Sequence, residues 1–197
     1  MIPIYLVDDD PDFADSLLFM LSAHELDVTH YLSGSKFLAD VPLNQAAVLI
    51  LDSRMPEITG EQLQQRLVEK GAVISVIFLT GHGDLPMAVN AFRSGACDFF
   101  QKPVNGDSLV HAIGRATEQS LAAQDRQTKL AQIKTLTERE LQILQLAGQG
   151  QKNKQISATL NVAVRTVEVH RASLMKKLNI DSIAELSEYA RLQTERS

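Results

Sequence analysis

The sequence predicts an α/β protein, a doubly wound parallel sheet of five strands followed by a small all-α unit of four short helices. Three observations carry this expectation. Short apolar runs at Ile2–Val7, Val28–Leu32, Val48–Leu51, Ile74–Leu79 and Asp98–Phe100 each precede a helix-length stretch, and such alternation builds a parallel sheet with helices on both faces. Polar residues stand where the first, third, fourth and fifth runs end: Asp8 with Asp9, then Asp52, Thr80 and Lys102. Finally, the charge balance reverses along the chain, with 7 Lys+Arg against 16 Asp+Glu in residues 1–118 and 12 against 8 in the remainder.

The 197 residues suit one medium and one small domain. We expect the first over 1–118, a helical linker over 119–133 and the second over 134–197. Gln119–Ile133 is rich in Gln and Ala and free of Gly and Pro, so it should continue the preceding helix as an exposed, semi-rigid connector with a frayed middle. A composition of 45% hydrophobic and 22% charged residues is that of a soluble globular protein. No apolar run approaches the roughly 20 residues needed to cross a bilayer. The first run passes straight into Asp8 without a basic flank or cleavage pattern, so it reads as a buried strand. The single cysteine, Cys97, reads as small core filler. Together these features imply a cytoplasmic protein with no membrane partner.

In open parallel sheets, ligands gather beyond the carboxyl ends of the strands at the point where strand order reverses. The polar strand ends should therefore converge. The Asp52 carboxylate is a plausible nucleophile toward a phosphoryl group once the negative charge of that group is neutralised. Mg2+ suits the task, because it favours a few carboxylate oxygens, retained waters and phosphate oxygens. Asp8, Asp9 and Asp52 supply such donors. Thr80 offers a hydroxyl and Lys102 a compact cation to complete a phosphoryl cradle. In Asp10–Pro11–Asp12 the proline suits the first helical position, so Asp10 is explained as an N-cap. A magnesium-dependent phosphatase would use the same constellation, but no stretch supplies a substrate pocket or cap domain for one.

The basic part carries clear helix punctuation. Thr137–Glu138–Arg139–Glu140 is a capping box, and Leu141, Leu144 and Ala147 supply a buried stripe before Gly148 and Gly150. Asn153 is expected to cap a helix over 154–160, and the turn 161–163 leads into a longer helix ending near Leu178. A second capping box begins at Ser182. Two helices joined by a three-residue turn form a helix-turn-helix, whose second helix can enter the DNA major groove. Between Lys152 and Lys177 the chain holds Lys152, Lys154, Arg165, Arg171, Lys176 and Lys177 against Glu168 alone, which suits phosphate contacts.

At these residues the chain resembles a two-component response regulator. Val7–Asp8–Asp9–Asp10, Leu51–Asp52–Ser53–Arg54–Met55–Pro56, Leu79–Thr80–Gly81–His82–Gly83 and Phe99–Phe100–Gln101–Lys102–Pro103 follow the receiver pattern. The stretch from Gly81 to Val89 is similar to the FixJ subgroup. The resemblance implies a flavodoxin-like (βα)5 receiver in which a sensor histidine kinase phosphorylates Asp52. It implies Mg2+ held by Asp9, Asp52 and the Arg54 carbonyl, with Asp8 acting through water. It assigns phosphoryl sensing to Thr80, Lys102 and Phe99, places Arg54 and His82 beside the phosphoryl group, and allows a cis peptide at Lys102–Pro103. Phe99 reads equally as filler at the core edge.

Thr166–Val167–Glu168–Val169–His170–Arg171 is similar to the LuxR-type (NarL/FixJ) DNA-binding domain, a resemblance that covers residues 134–195. It implies double-stranded promoter DNA and RNA polymerase as partners, and a homodimer formed on phosphorylation. Carried over by position, Glu168, Val169 and Ala172 face base edges, while Val167, Leu174 and Leu178 face the core. Lys152, Lys154, Arg165, Thr166, Arg171 and Lys176 complete the DNA contacts. Glu168 has a second reading, as an ion-pair partner of Arg165 or Arg171. The recognition helix departs from its relatives in starting at Ala163–Val164 without a capping side chain. The last helix, 183–192, is expected by resemblance to pair between DNA-bound copies, and its Ile183, Leu186, Tyr189 and Ala190 read equally as core.

Overall fold

The protein is described from a computed structural model over residues 2–81 and 85–195, without the side chains of residues 85–88 and 183. The chain divides into two compact units, with the boundary between Gln124 and Asp125. The first unit alternates β1 (Ile4–Val7), α1 (Pro11–Ser22), β2 (Val28–Tyr31), α2 (Gly34–Asp40), β3 (Val48–Asp52), α3 (Gly60–Glu69), β4 (Ser75–Thr80), α4 (Leu85–Arg93) and β5 (Asp98–Gln101). The helix α5 (Gly106–Ile133) follows. The strands form one parallel sheet in the order β2-β1-β3-β4-β5.

The central strands explain why two cores exist. Every residue of β3 and β4 is buried, as a parallel sheet covered on both faces requires. Side chains alternate between faces along a strand. Leu49, Leu51, Val76 and Phe78 enter one core with Phe37 and Leu63. Val48, Ile50, Ile77 and Leu79 enter the other with Leu6, Leu109 and Ile113. Strand order reverses between β1 and β3, and the register opposes Asp52 to Leu79 and Thr80 to Gln101. The polar strand ends are thereby brought to one edge of the sheet.

Asp10 caps α1 as expected, accepting from the N–H groups of Asp12 at 3.0 Å and Phe13 at 3.1 Å, with Pro11 opening the helix. Asp84, expected to cap α4, lies outside the described residues.

Residues 119–133 are helical and most of them are exposed, as expected of a linker, but the stretch is anchored toward both ends. Ser120 is fully buried in the first unit, where its Oγ accepts from the Ala47 N–H at 2.9 Å and donates to the Val73 carbonyl. Gln124 Oε1 accepts from the Ala46 N–H at 2.9 Å. Further along, Leu130 and Ile133 join the core of the second unit, and the Tyr189 hydroxyl lies 2.6 Å from Gln132 Oε1. Polar side chains that satisfy strand-start N–H groups leave no hydrophobic periodicity, which is why the sequence pattern misses the attachment.

The second unit holds α6 (Glu138–Gly148), α7 (Asn153–Leu160), α8 (Val164–Leu178) and α9 (Ile183–Thr194). Ile143, Leu144, Ile156, Val167, Leu174 and Leu178 form its centre. Asn161 and Asn179 adopt left-handed φ of 51° and 54°, ending α7 and α8 in a conformation Asn tolerates. Leu186, Tyr189, Ala190 and Leu192 are buried in this core, so these four apolar residues of α9 serve its own unit. A Cβ on Gly148 would fall 2.2 Å from Ala190 Cβ, so the α6–α9 approach requires glycine there. The expected cap at Asn153 is corrected. It is the first residue of α7, and the Lys152 N–H is satisfied by Gln155 Oε1 at 2.8 Å.

Glu140 is the buried polar centre of this unit, 2% exposed. Its carboxylate accepts from the Thr137 N–H and hydroxyl at 2.8 and 2.9 Å, and from Ser173 Oγ and Lys177 Nζ at 2.7 Å each. Lys177, its side chain 35% exposed, is therefore the ion-pair partner of the buried Glu140 as well as a member of the basic run. Burial alone would raise the Glu140 pKa, but these donors outweigh it and hold the group at about 2 against an ordinary 4.5. A depressed carboxyl pKa stabilises the fold above 4.5, and that contribution is lost as pH falls toward about 2. Glu140→Gln is expected to cost on the order of 2 kcal/mol in urea unfolding at pH 7, with the difference from wild type shrinking as both are titrated through that window.

Among the described residues, no helix is long and apolar enough to cross a membrane.

Candidate functional site

Asp8 follows β1, Asp52 ends β3, Thr80 ends β4 and Lys102 follows β5. Asp8, Asp52 and Thr80 are 1%, 5% and 0% exposed. Backbone bonds continue beyond the strands and fix these ends: Asp8 N–H donates to the Tyr31 carbonyl, Ser53 N–H to that of Leu79, and Lys102 N–H to that of Thr80 at 2.7 Å. The Lys102–Pro103 peptide is cis, as the resemblance allowed.

The Asp8 and Asp52 side chains converge on one ammonium. Lys102 Nζ lies 2.7 Å from Asp8 Oδ2 and 2.8 Å from Asp52 Oδ1, and 3.9 Å from the centroid of the Phe13 ring. The other oxygens are held by the backbone: Asp8 Oδ1 accepts from the Asp10 N–H at 3.0 Å, and Asp52 Oδ2 from the Arg54 N–H at 2.8 Å. His30 Nε2 lies 2.9 Å from the Asp8 carbonyl. Burial raises the Asp8 pKa against the opposing pull of Lys102 and the Asp10 N–H. For Lys102, burial works to lower the pKa, but hydrogen bonds to Asp52 and Asp8 outweigh it and the ammonium is held above its ordinary value.

Asp9 and the Arg54 side chain are exposed beside this cluster in sequence. Phe99 is half-buried and packs on Phe78 with centroids 6.5 Å apart, a position that serves the core edge. His82 lies outside the described residues. Phe13 is the residue that sequence reasoning missed. No motif marks it, although its place at the start of the helix that Asp10 caps was visible. Two buried carboxylates around one cation leave an excess of negative charge. That donor set fits a hard divalent ion that binds few protein oxygens and keeps its waters, although among the described residues no three acidic, His or Cys side chains form a closed cage.

In the second unit, α8 has two faces. Val167, Leu174 and Leu178 are buried, whereas Arg165, Thr166, Glu168, Val169, Ala172 and Lys176 are exposed, as are Lys152 and Lys154 at the start of α7. Val169, a large apolar residue 56% exposed, stands on this polar face. The structure pairs Arg165 with Glu168 at 3.3 Å. Arg171 is half-buried, and its Nη1 donates to Asn153 Oδ1 at 2.8 Å, tying α8 to the start of α7. Ala163 provides no side-chain cap for α8, as its sequence implied.

A doubly wound five-strand sheet with two acidic strand ends and a lysine at its switch point, joined to a helix-turn-helix unit, defines a DNA-binding receiver protein. Residues 4–114 match the response regulator receiver domain and residues 134–190 match the bacterial regulatory proteins of the luxR family. The chain belongs to the response regulators that carry a receiver and a LuxR-type DNA-binding domain. The tetrathionate response regulatory protein TtrR of Salmonella typhimurium is 42% identical over 94% of this chain and 90% of its own length. The transcriptional regulatory protein FixJ of Azorhizobium caulinodans is 39% identical over 97% and 92%. Among solved structures, the response regulator StyR superposes with a TM-score of 0.70 at 35% identity, covering 97% of this chain and 99% of that one. Full-length FixJ from B. japonicum gives 0.55 at 33%, covering 98% and 97%.

Gly60 limits the site from below. Its N–H donates to the Ser53 carbonyl at 3.1 Å, and a Cβ would fall 2.4 Å from the Asp52 carbonyl oxygen and 2.9 Å from Phe78 Cε1. Gly60→Ala is expected to destabilise the first unit by about 1–3 kcal/mol and to shift the Asp52 backbone amide resonance, readable by thermal unfolding and NMR.

Proposed function

We propose that Asp52 is the phosphoryl acceptor of this regulator, and that its phosphorylation by a sensor histidine kinase controls binding of the C-terminal unit to promoter DNA. The observation that supports this most directly is the Lys102 ammonium shared by the buried Asp8 and Asp52 carboxylates. In the transfer, an Asp52 oxygen forms a bond to phosphorus as the N–P bond to the donor histidine breaks. The imidazole nitrogen keeps the electron pair and takes a proton from solvent. Asp9, Asp52 and the Arg54 carbonyl would hold Mg2+, with Asp8 acting through water, and the bound ion would neutralise phosphoryl oxygens during transfer.

Phosphorylation adds about −1.5 to −2 charges and new acceptor oxygens at Asp52. Lys102 is drawn from its present carboxylates toward them, and the Thr80 hydroxyl supplies a second donor. The movement of the β4 end is passed to Phe99, which already packs on Phe78 of the same strand. Arg54 and His82 tune the lifetime of the phosphoryl group. The chain is no multiple-turnover enzyme in this reading. It accepts phosphoryl groups slowly from small donors and loses them by hydrolysis.

The phosphorylated form pairs with a second copy and binds paired half-sites in the cytoplasm, where it meets RNA polymerase. Lys152, Lys154, Arg165, Thr166 and Lys176 contact the backbone, and Arg171 does so with donors left free by Asn153. Glu168, Val169 and Ala172 read base edges, with Glu168 exchanging its Arg165 partner for a cytosine amino group.

Asp52→Asn is expected to remove phosphorylation by kinase or acetyl phosphate, seen by intact mass, and with it the gain in operator affinity. Unchanged operator affinity on phosphorylation of the wild type would refute the control. Glu168→Ala should reduce discrimination against a substituted operator by roughly tenfold while changing nonspecific affinity little, measured by competition binding at fixed salt. Equal loss of both affinities would remove Glu168 from base reading.

A further inference from the structure

Among the described residues, a third group beside Lys102 Nζ is the Phe13 ring. Lys102 Nζ carries three donors and no acceptor. Two neighbours are the Asp8 and Asp52 oxygens, and the third is the face of the Phe13 ring, 3.9 Å away at its centroid. The ring is itself held in place. Its backbone N–H donates to Asp10 Oδ1 at 3.1 Å, and its side chain packs half-buried against the core cluster that Phe100 and Val104 also join.

A carboxylate and a π-face hold an ammonium in different ways. Each carboxylate oxygen fixes a direction and competes with the phosphoryl oxygens for the same donors. The ring attracts the cation through its quadrupole without offering a lone pair. Lys102 can then exchange a carboxylate oxygen for a phosphoryl oxygen while staying over the same ring. An aliphatic side chain of similar size would fill the space without that attraction.

We propose that Phe13 is a positioning residue for phosphoryl transfer, its ring keeping the Lys102 ammonium at the acceptor while its carboxylate partners change. This rests on the reading of Asp52 as the acceptor. The group that reacts is Asp52, and Phe13 acts through Lys102.

The test uses the full chain with Mg2+ and acetyl phosphate. The Asp52 oxygen takes the phosphorus as the P–O bond to the acetyl group breaks, and acetate leaves with the electron pair. Initial rates at saturating donor are followed by intact mass for wild type, Phe13→Tyr, Phe13→Leu and Phe13→Met. The last two remove the ring in different shapes, so the comparison survives if one of them fails to fold. The Lys102 Hε proton shifts are recorded in parallel, because a ring over the ammonium moves them upfield without any phosphoryl chemistry. Leu and Met are expected to slow transfer about five- to tenfold and Tyr to stay within about twofold of wild type, as a cation held by a ring requires. The upfield shift should be present in wild type and Tyr and absent from Leu and Met. Equal rates in all folded variants, or Hε protons at ordinary shifts in wild type, would overturn the role of Phe13. Absence of phosphorylation in wild type, or its survival in Asp52→Asn, would instead overturn the acceptor reading, while the proton shifts still decide whether the ring holds Lys102.

Discussion

The first unit is organised around one electrostatic constraint: two buried carboxylates, Asp8 and Asp52, held against a single ammonium. Carboxylates removed from water are costly unless paired and hydrogen-bonded. Here the pairing is supplied by Lys102, and the remaining oxygens by the N–H groups of Asp10 and Arg54. The arrangement compensates burial without neutralising it. Two negative charges share one cation, so the site retains an attraction for a further cation. The same interaction that makes the fold tolerable makes it receptive.

Such a cluster exists only because strand order fixes it. Asp8 and Lys102 are separated by 94 positions, and no local propensity brings them together. The β1 and β3 strands leave their carboxyl ends side by side, and β5 reaches Lys102 through the backbone bond from its N–H to the Thr80 carbonyl. Gly60 lets the start of α3 close under the Asp52 carbonyl. The apolar alternation of Leu49 and Leu51 against Val48 and Ile50 pins the register. A slip of one residue would turn Asp52 from the sheet edge into a core.

What was legible in the sequence follows from this physics. Strands carry their own signal, as apolar runs with polar ends, so Asp8, Asp52, Thr80 and Lys102 could be assembled from their order alone. The helical punctuation at Thr137 and Ser182 was likewise readable, because a capping box is a local pattern. The contacts that escaped are polar and distant. Ser120 and Gln124 bond to strand starts far back in the chain, Lys177 answers Glu140, and Arg171 answers Asn153. A lysine in a basic run looks the same whether it awaits a phosphate or already has a carboxylate. Phe13 escaped for a related reason, since an aromatic residue at a helix start gives no hint of a cation arriving from the far side of the sheet.

These distant pairs also explain how α8 can present a defined outward face. The helix α8 has no capping side chain at its start, and its propensity alone would leave the first turn weakly held. Its orientation comes from the opposite side, where Ser173 and Lys177 meet the buried Glu140 and Arg171 meets Asn153. Three polar ties and the buried Val167, Leu174 and Leu178 occupy one side of the helix. Arg165, Glu168, Val169, Ala172 and Lys176 are thereby left outward. The exposed face is specified less by its own residues than by what the hidden face is obliged to bind. The exposed positions can therefore change without loss of the fold.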